Sequence, residues 1–197
     1  MPRAGLTADR VVEAAAELAD SAGLGGVTLS ALARGFGVKD ASLYSHVRNL
    51  QDLRTRLAVR CAAEFADLVG TAVAGRAGKA ALAGFAQAYR SYAVGHPGRY
   101  AATQLELPAE VLAASPGHGR MTEYTYAMIR GYELGEPDRT DAVRLLRSTF
   151  HGFAALEDAA AFHAARDPDA SWARMIDALD TLLAHWPPAG PSPTLAP

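Results

Sequence analysis

A chain of 197 residues carrying a net charge of −2 is long enough to bury a working core, and its overall charge excludes a globally basic nucleic-acid binder. Half of its residues are hydrophobic, largely through alanine, so the composition leans helical. No run approaches the roughly 20 apolar residues of a membrane span, and Met1-Pro2-Arg3-Ala4-Gly5 lacks the apolar stretch of a signal peptide, which makes a cytoplasmic protein the expectation. The single cysteine, Cys61, cannot form an internal disulfide and falls inside a helical pattern, as a small buried thiol does.

Thr7 precedes apolar residues at helical spacing (Val11, Val12, Ala15, Leu18, Ala19), which predicts a first helix over 8–22. Gly23, Gly25 and Gly26 break it, and Thr28 caps a short second helix that Gly37 ends. A third, seven-residue helix over Asp40 to His46 follows after a short turn, a helix-turn-helix arrangement whose last member can enter a major groove. Asn49 with Asp52 reads as a capping-box variant opening a long helix over 50–74.

Further helices are expected at 79–95, after Pro97, and near 108–114, with a loop at Ser115-Pro116-Gly117-His118-Gly119 and another helix over 120–134. Pro137 opens a segment over 138–164, Asp167-Pro168-Asp169 interrupts it, and the last helix covers 171–186. The reading is all-α, about nine helices: a three-helix head over 1–53, a helical body over 54–187, and a proline-rich tail over 188–197 expected to be disordered.

Charge is uneven along this chain. From Arg34 to Arg60 six basic residues face two acidic ones, a local excess of +4, whereas residues 61 to 197 hold 11 basic and 15 acidic residues. A basic face on an otherwise acidic protein suits phosphate contact, as it also suits a plain solvated helix surface.

Val27-Thr28-Leu29-Ser30-Ala31-Leu32-Ala33, the turn at Gly37-Val38, and Ser42-Leu43-Tyr44-Ser45-His46-Val47-Arg48-Asn49 together resemble the DNA-binding domain of the TetR family of transcriptional regulators. The resemblance implies that Tyr44 and His46 touch phosphates, where a phenol or imidazole sets register without reading sequence. Ser42, Ser45 and Lys39 are the candidates for base edges, Ser30 for backbone or base, and Asp40 opens the same helix. Leu50 stands where the family usually supplies a phosphate-binding Lys, a task expected to pass to Arg48. Leu43 and Val47, four apart, should face inward.

Beyond residue 53 one local resemblance remains: Phe150-His151-Gly152-Phe153 is similar to the motif of the C-terminal domain type named for Trp-His-Gly, with Phe for Trp. A glycine inside a helix there implies close packing or room for a ligand. The resemblance implies a homodimer through the last two long helices, with Leu156, Ala160, Met175, Leu179, Leu182 and Leu183 as interface candidates, although periodicity serves an internal core equally well. Phe65, Phe85, Tyr89, Tyr92, Tyr100, Met121, Tyr124, Met128, Phe150 and His151 are candidates to line a cavity for a small hydrophobic or aromatic ligand.

No enzyme motif is present, and the histidines at 46, 96, 118, 151, 163 and 185 show no metal-binding spacing, so neither cofactor nor metal is expected. The expected function is a repressor that binds palindromic operator DNA as a homodimer and is released by a ligand, with the helix over 50–74 as lever. The alternatives are a DNA-binding regulator without a ligand and a helical carrier or enzyme.

Overall fold

The computed structural model describes residues 6–188, so residues 1–5 and nearly all of the tail expected to be disordered lie outside them. The described chain forms nine α-helices: α1 (Ala8–Ala22), α2 (Leu29–Phe36), α3 (Leu50–Val73), α4 (Gly78–Gly95), α5 (Pro97–Thr103), α6 (Ala109–Ala113), α7 (Pro116–Ile129), α8 (Asp138–Asp158) and α9 (Pro168–Ala184). Three short 3-10 helices, Leu24–Gly26, Asp40–Ser45 and Arg130–Tyr132, complete it. Among the described residues no strand occurs and no helix is long and apolar enough to cross a membrane.

Helix starts follow the side chains that can cap them. Thr7 Oγ1 accepts from the Arg10 amide (3.2 Å), Thr28 Oγ1 from the Ala31 amide (3.1 Å) and Asn49 Oδ1 from the Asp52 amide (2.8 Å). Gly37 closes α2 in the left-handed conformation (φ 66°), which only glycine adopts without a steric penalty.

Two apolar clusters organise the molecule. Val11, Ala15, Val27, Leu32, Leu43 and Val47 form the head cluster, which continues through Leu53, Leu57 and Cys61 of α3 to Ala102 of α5. Phe65 and Val69, lower on the same α3, belong to the body cluster with Leu82, Phe85, Leu146, Phe150, Trp172 and Ile176. Cys61 is fully buried, and that burial pushes its thiol up to about 12, leaving no thiolate at neutral pH.

Three boundaries differ from the sequence expectation. Residues 116–119 are the first turn of α7, not a loop. Pro116 serves as an initiator, and a Cβ on Gly117 would meet the Ala63 amide nitrogen at 2.5 Å, so this glycine permits α7 to lie against α3. The helix expected to run to 164 ends at Asp158: the Ala160 amide donates to Glu157 O (3.0 Å) and the Ala161 amide to Leu156 O (2.8 Å), a Schellman closure with Ala160 at φ 49°. Asp167-Pro168 begins α9, with Asp167 accepting from the Asp169 amide (3.1 Å).

Gly98 marks a tight approach of α5 to α1. A Cβ there would sit 1.9 Å from Ala19 O, so α5 lies directly on α1. Gly152, expected to serve packing or a ligand, has nothing within 4 Å of the place a methyl group would take and stands open on α8. Gly98→Ala should therefore destabilise the protein by at least about 3 kcal/mol, because backbone atoms must move. Gly152→Ala should stabilise it by about 1 kcal/mol through helix propensity, and paired thermal melts check both.

Candidate nucleic-acid interface and ligand cavity

The segment expected as the helix Asp40 to His46 is instead a 3-10 helix, Asp40–Ser45. Lys39 supplies no side-chain cap, and the span is too short to repay α-helical nucleation, so it closes with tighter bonds: the His46 amide donates to Leu43 O (2.9 Å) and Ser45 Oγ to Ser42 O (2.8 Å). Leu43 and Val47 point into the head cluster. The opposite side carries Lys39, Ser42, Tyr44 and Ser45 exposed and His46 half-buried, with Tyr44 57% accessible.

Ser30 and Asp40 are engaged with each other, Ser30 Oγ donating to Asp40 Oδ2. This bond ties the start of α2 to the start of the recognition segment. Asp40, still exposed, thereby braces the turn, and its negative charge disfavours a phosphate beside it.

The far end of the segment is held by Asp52. Its carboxylate accepts from the Arg48 amide (3.0 Å), Arg48 Nη2 (3.2 Å) and Arg56 Nε (3.2 Å). Burial raises the Asp52 pKa, but these donors together outweigh burial and hold it below its ordinary 3.8. The Arg48 side chain remains 84% exposed, available to a phosphate while steered by Asp52.

In the body, helices α3 to α8 border a cavity of about 430 Å³ that opens to the surface, within the range of drug-sized ligand sites. Phe65, Phe85, Tyr89, Met121, Met128 and Phe150 line it. Phe65 meets Tyr89 edge-on, ring centroids 5.1 Å apart. Four expected wall residues lie elsewhere. Tyr92 stacks on the far side of Phe65 and donates to Cys61 O (3.1 Å). Tyr124 covers Gly70, where a Cβ would approach its hydroxyl to 2.7 Å. His151 is exposed and ends a chain in which Tyr89 and Tyr100 hydroxyls lie 2.7 Å apart and the Tyr100 hydroxyl lies 2.6 Å from His151 Nδ1. Tyr100 is likewise core, not wall.

Sequence reasoning missed the polar wall: Thr103 and Gln104 at the end of α5, His118, Thr122, Thr125 and Tyr126 on α7, and Arg147 on α8. His118 Nδ1 lies 2.8 Å from Ser115 Oγ, and burial lowers its pKa, which favours the neutral ring. The available signal for Arg147 was its position four after Val143 and three before Phe150, on one helical face.

Residues 82–179, which contain most of this wall, match the family described as Tetracyclin repressor-like, C-terminal domain. The uncharacterized HTH-type transcriptional regulator YobS of Bacillus subtilis is 35% identical over 175 residues, covering 84% of this chain and 86% of YobS. The chain belongs to the TetR family of transcriptional regulators. Two solved structures share the fold of this TetR-family regulator: a protein of unknown function from Rhodococcus sp. RHA1 (TM-score 0.76, 23% identity, 93% of this chain and 99% of that one) and the Streptomyces coelicolor TetR family protein ActR in complex with actinorhodin (TM-score 0.69, 18% identity, 92% and 98%).

The interface candidates of this TetR-family chain divide by exposure. Leu156 (49%), Leu182 (38%) and Ala160 lie on the surface, and Met175 is half-buried. Leu179 (7%) and Leu183 (1%) are internal core, because the apolar stripe of α9 is wide enough that its inner rows pack within the monomer.

Asp52→Ala should lower the melting temperature by about 2–4 °C, the effect of losing a cap worth about 1 kcal/mol. Since the folded pKa of Asp52 is depressed, its charge stabilises above the unfolded value and ceases to do so as pH falls through the folded one. The gap between wild type and variant should stay constant from about pH 8 to about pH 5.5 and narrow below about pH 4 in melts across pH.

Proposed function

We propose that this TetR-family regulator is a cytoplasmic repressor that binds a palindromic operator as a homodimer and releases it when a small molecule fills the cavity. Residues 1–53 act as the DNA-binding head and 54–187 as the ligand-binding and dimerising body. One observation carries the reading: α5 touches both the cavity and the head. At one end Thr103 and Gln104 stand in the cavity wall. At the other, Gly98 abuts Ala19 of α1, and the Arg99 amide donates to Asp20 Oδ1 (2.9 Å).

A ligand that prefers one position of α5 thereby prefers one position of the head, and an equilibrium shifts only by such a difference in affinity. The lever is α5 acting together with α3, which Arg99 also grips through Glu64 (3.0 Å). ActR, similar in fold, has been solved with actinorhodin bound, which supports a ligand role for this body type. Exposed Leu156 and Leu182 support a second copy as the partner of α8 and α9.

In the head, Tyr44 and His46 set register on phosphates, Arg48 adds a charged phosphate contact, and Lys39, Ser42 and Ser45 face the bases. Ser30 holds Asp40 in place behind them.

The experiment is selection of bound sequences from a random DNA pool, followed by titrations on the selected duplex. A two-fold symmetric site bound by a dimer is expected. Tyr44→Ala should weaken binding about tenfold without changing the salt slope, because a phenol releases no counterion. Arg48→Ala should reduce that slope by up to about one. Failure to enrich any sequence overturns the DNA reading, and full affinity in Tyr44→Ala overturns the placement of Tyr44 on a phosphate.

A further inference from the structure

The cavity wall has a definite electrostatic character. Arg147 is its one cation outside the histidine, and no aspartate or glutamate lines it. Arg147 shares a helical face with Val143, Leu146 and Phe150, all of which are also in the wall. Its neighbours on α8 have partners within the protein: Arg139 pairs with Glu136 (2.8 Å) and Arg144 with Asp141 (3.5 Å). Among the described residues, Arg147 makes no ion pair or hydrogen bond. Its charge nonetheless reaches the phenol of Tyr89 in the wall and that of Tyr100 behind it. Burial raises the pKa of both Tyr89 and Tyr100, and Arg147 opposes that rise in each.

We infer that the effector is an amphipathic carboxylate, its apolar or aromatic body lying against Phe65, Phe85 and Phe150 and its carboxylate paired with the Arg147 guanidinium. The inference rests on the ligand reading above and specifies its chemistry. A guanidinium matches a carboxylate with two parallel hydrogen bonds. A phosphate monoester, with close to two charges, asks for a second cation, and the wall has none: burial keeps His118 toward its neutral form. Thr122, Thr125 and Tyr126 on α7 offer hydroxyls for neutral polar groups on the ligand body.

The test uses the full chain and matched probes: 2-naphthoate and dodecanoate, each beside its primary amide, with 2-naphthyl phosphate as a third arm. Thermal shift and calorimetry report binding to wild type, Arg147→Met and Arg147→Lys. At least one carboxylate should bind wild type about tenfold or more tightly than its amide. Arg147→Met should abolish that preference by weakening the carboxylate and leaving the amide unchanged, and Arg147→Lys should keep part of it. Amides that bind wild type as well as carboxylates, a preference that survives in Arg147→Met, or tighter binding of 2-naphthyl phosphate overturns the inference while leaving a ligand cavity in place. If no probe binds at all, the ligand reading falls with it.

Discussion

One helix is shared between two apolar cores, and that sharing fixes where both sites stand. The 24 residues of α3 span about 36 Å. Leu53, Leu57 and Cys61 pack into the head, Phe65 and Val69 into the body, and all five belong to a single row spaced by four. Such a row is not straight along an α-helix: each step of four residues rotates it by about 40°, so from Leu53 to Val69 it winds through about 160°. A row that begins facing the head therefore ends facing nearly the other way. The same helix carries Asn49 and Asp52 at the recognition turn and Ala62 and Phe65 in the cavity wall.

A second joint runs through α5. Its Gly98 meets α1 with no room for a methyl group, and Asp20 of α1 receives the Arg99 amide while lying 2.9 Å from Arg99 Nε and 3.0 Å from His96 Nδ1. Arg99 then reaches Glu64 on α3, and Glu64 receives Arg60 Nε (2.9 Å). These pairs are partly buried, where charge pairs fix geometry more than they add stability. The head is thus held against the body at two points by groups of defined direction.

What the sequence made legible was whatever depends on local chemistry. Thr7, Thr28 and Asn49 act as caps where hydroxyl and amide side chains precede apolar periodicity, and Leu43 and Val47 are buried beneath an exposed Tyr44. What misled depends on partners distant in the chain. Gly117 resembles a loop residue until Ala63 is placed beside it. Tyr92 and Tyr124 look like cavity aromatics until Cys61 O and Gly70 take up their hydroxyls and faces. Aromatic and methionine content does not reveal Thr103, Gln104 and Arg147, because a binding site is defined by the few polar groups among the apolar ones. Leu179 and Leu183 could not be separated from Leu182 by spacing, since an internal core and an interface both ask for apolar rows on one helix.

In the proposed twofold dimer, this internal rigidity would become control of DNA spacing. Two recognition segments must enter successive major grooves on one face of the duplex, about 34 Å apart, a separation set by how each head is carried from the shared axis. On the proposed arrangement, α8 and α9 lie at that axis with Leu156 and Leu182 outward, while α8 also presents Val143, Leu146 and Phe150 to the cavity. The cavity is therefore bounded on one side by the helix nearest the axis and on another by α5, which touches the head. On that arrangement, expansion or contraction between those walls would change the distance from axis to head in both copies at once. A displacement small beside the cavity itself would then be doubled by symmetry at the DNA, where a mismatch with the fixed groove repeat is most costly.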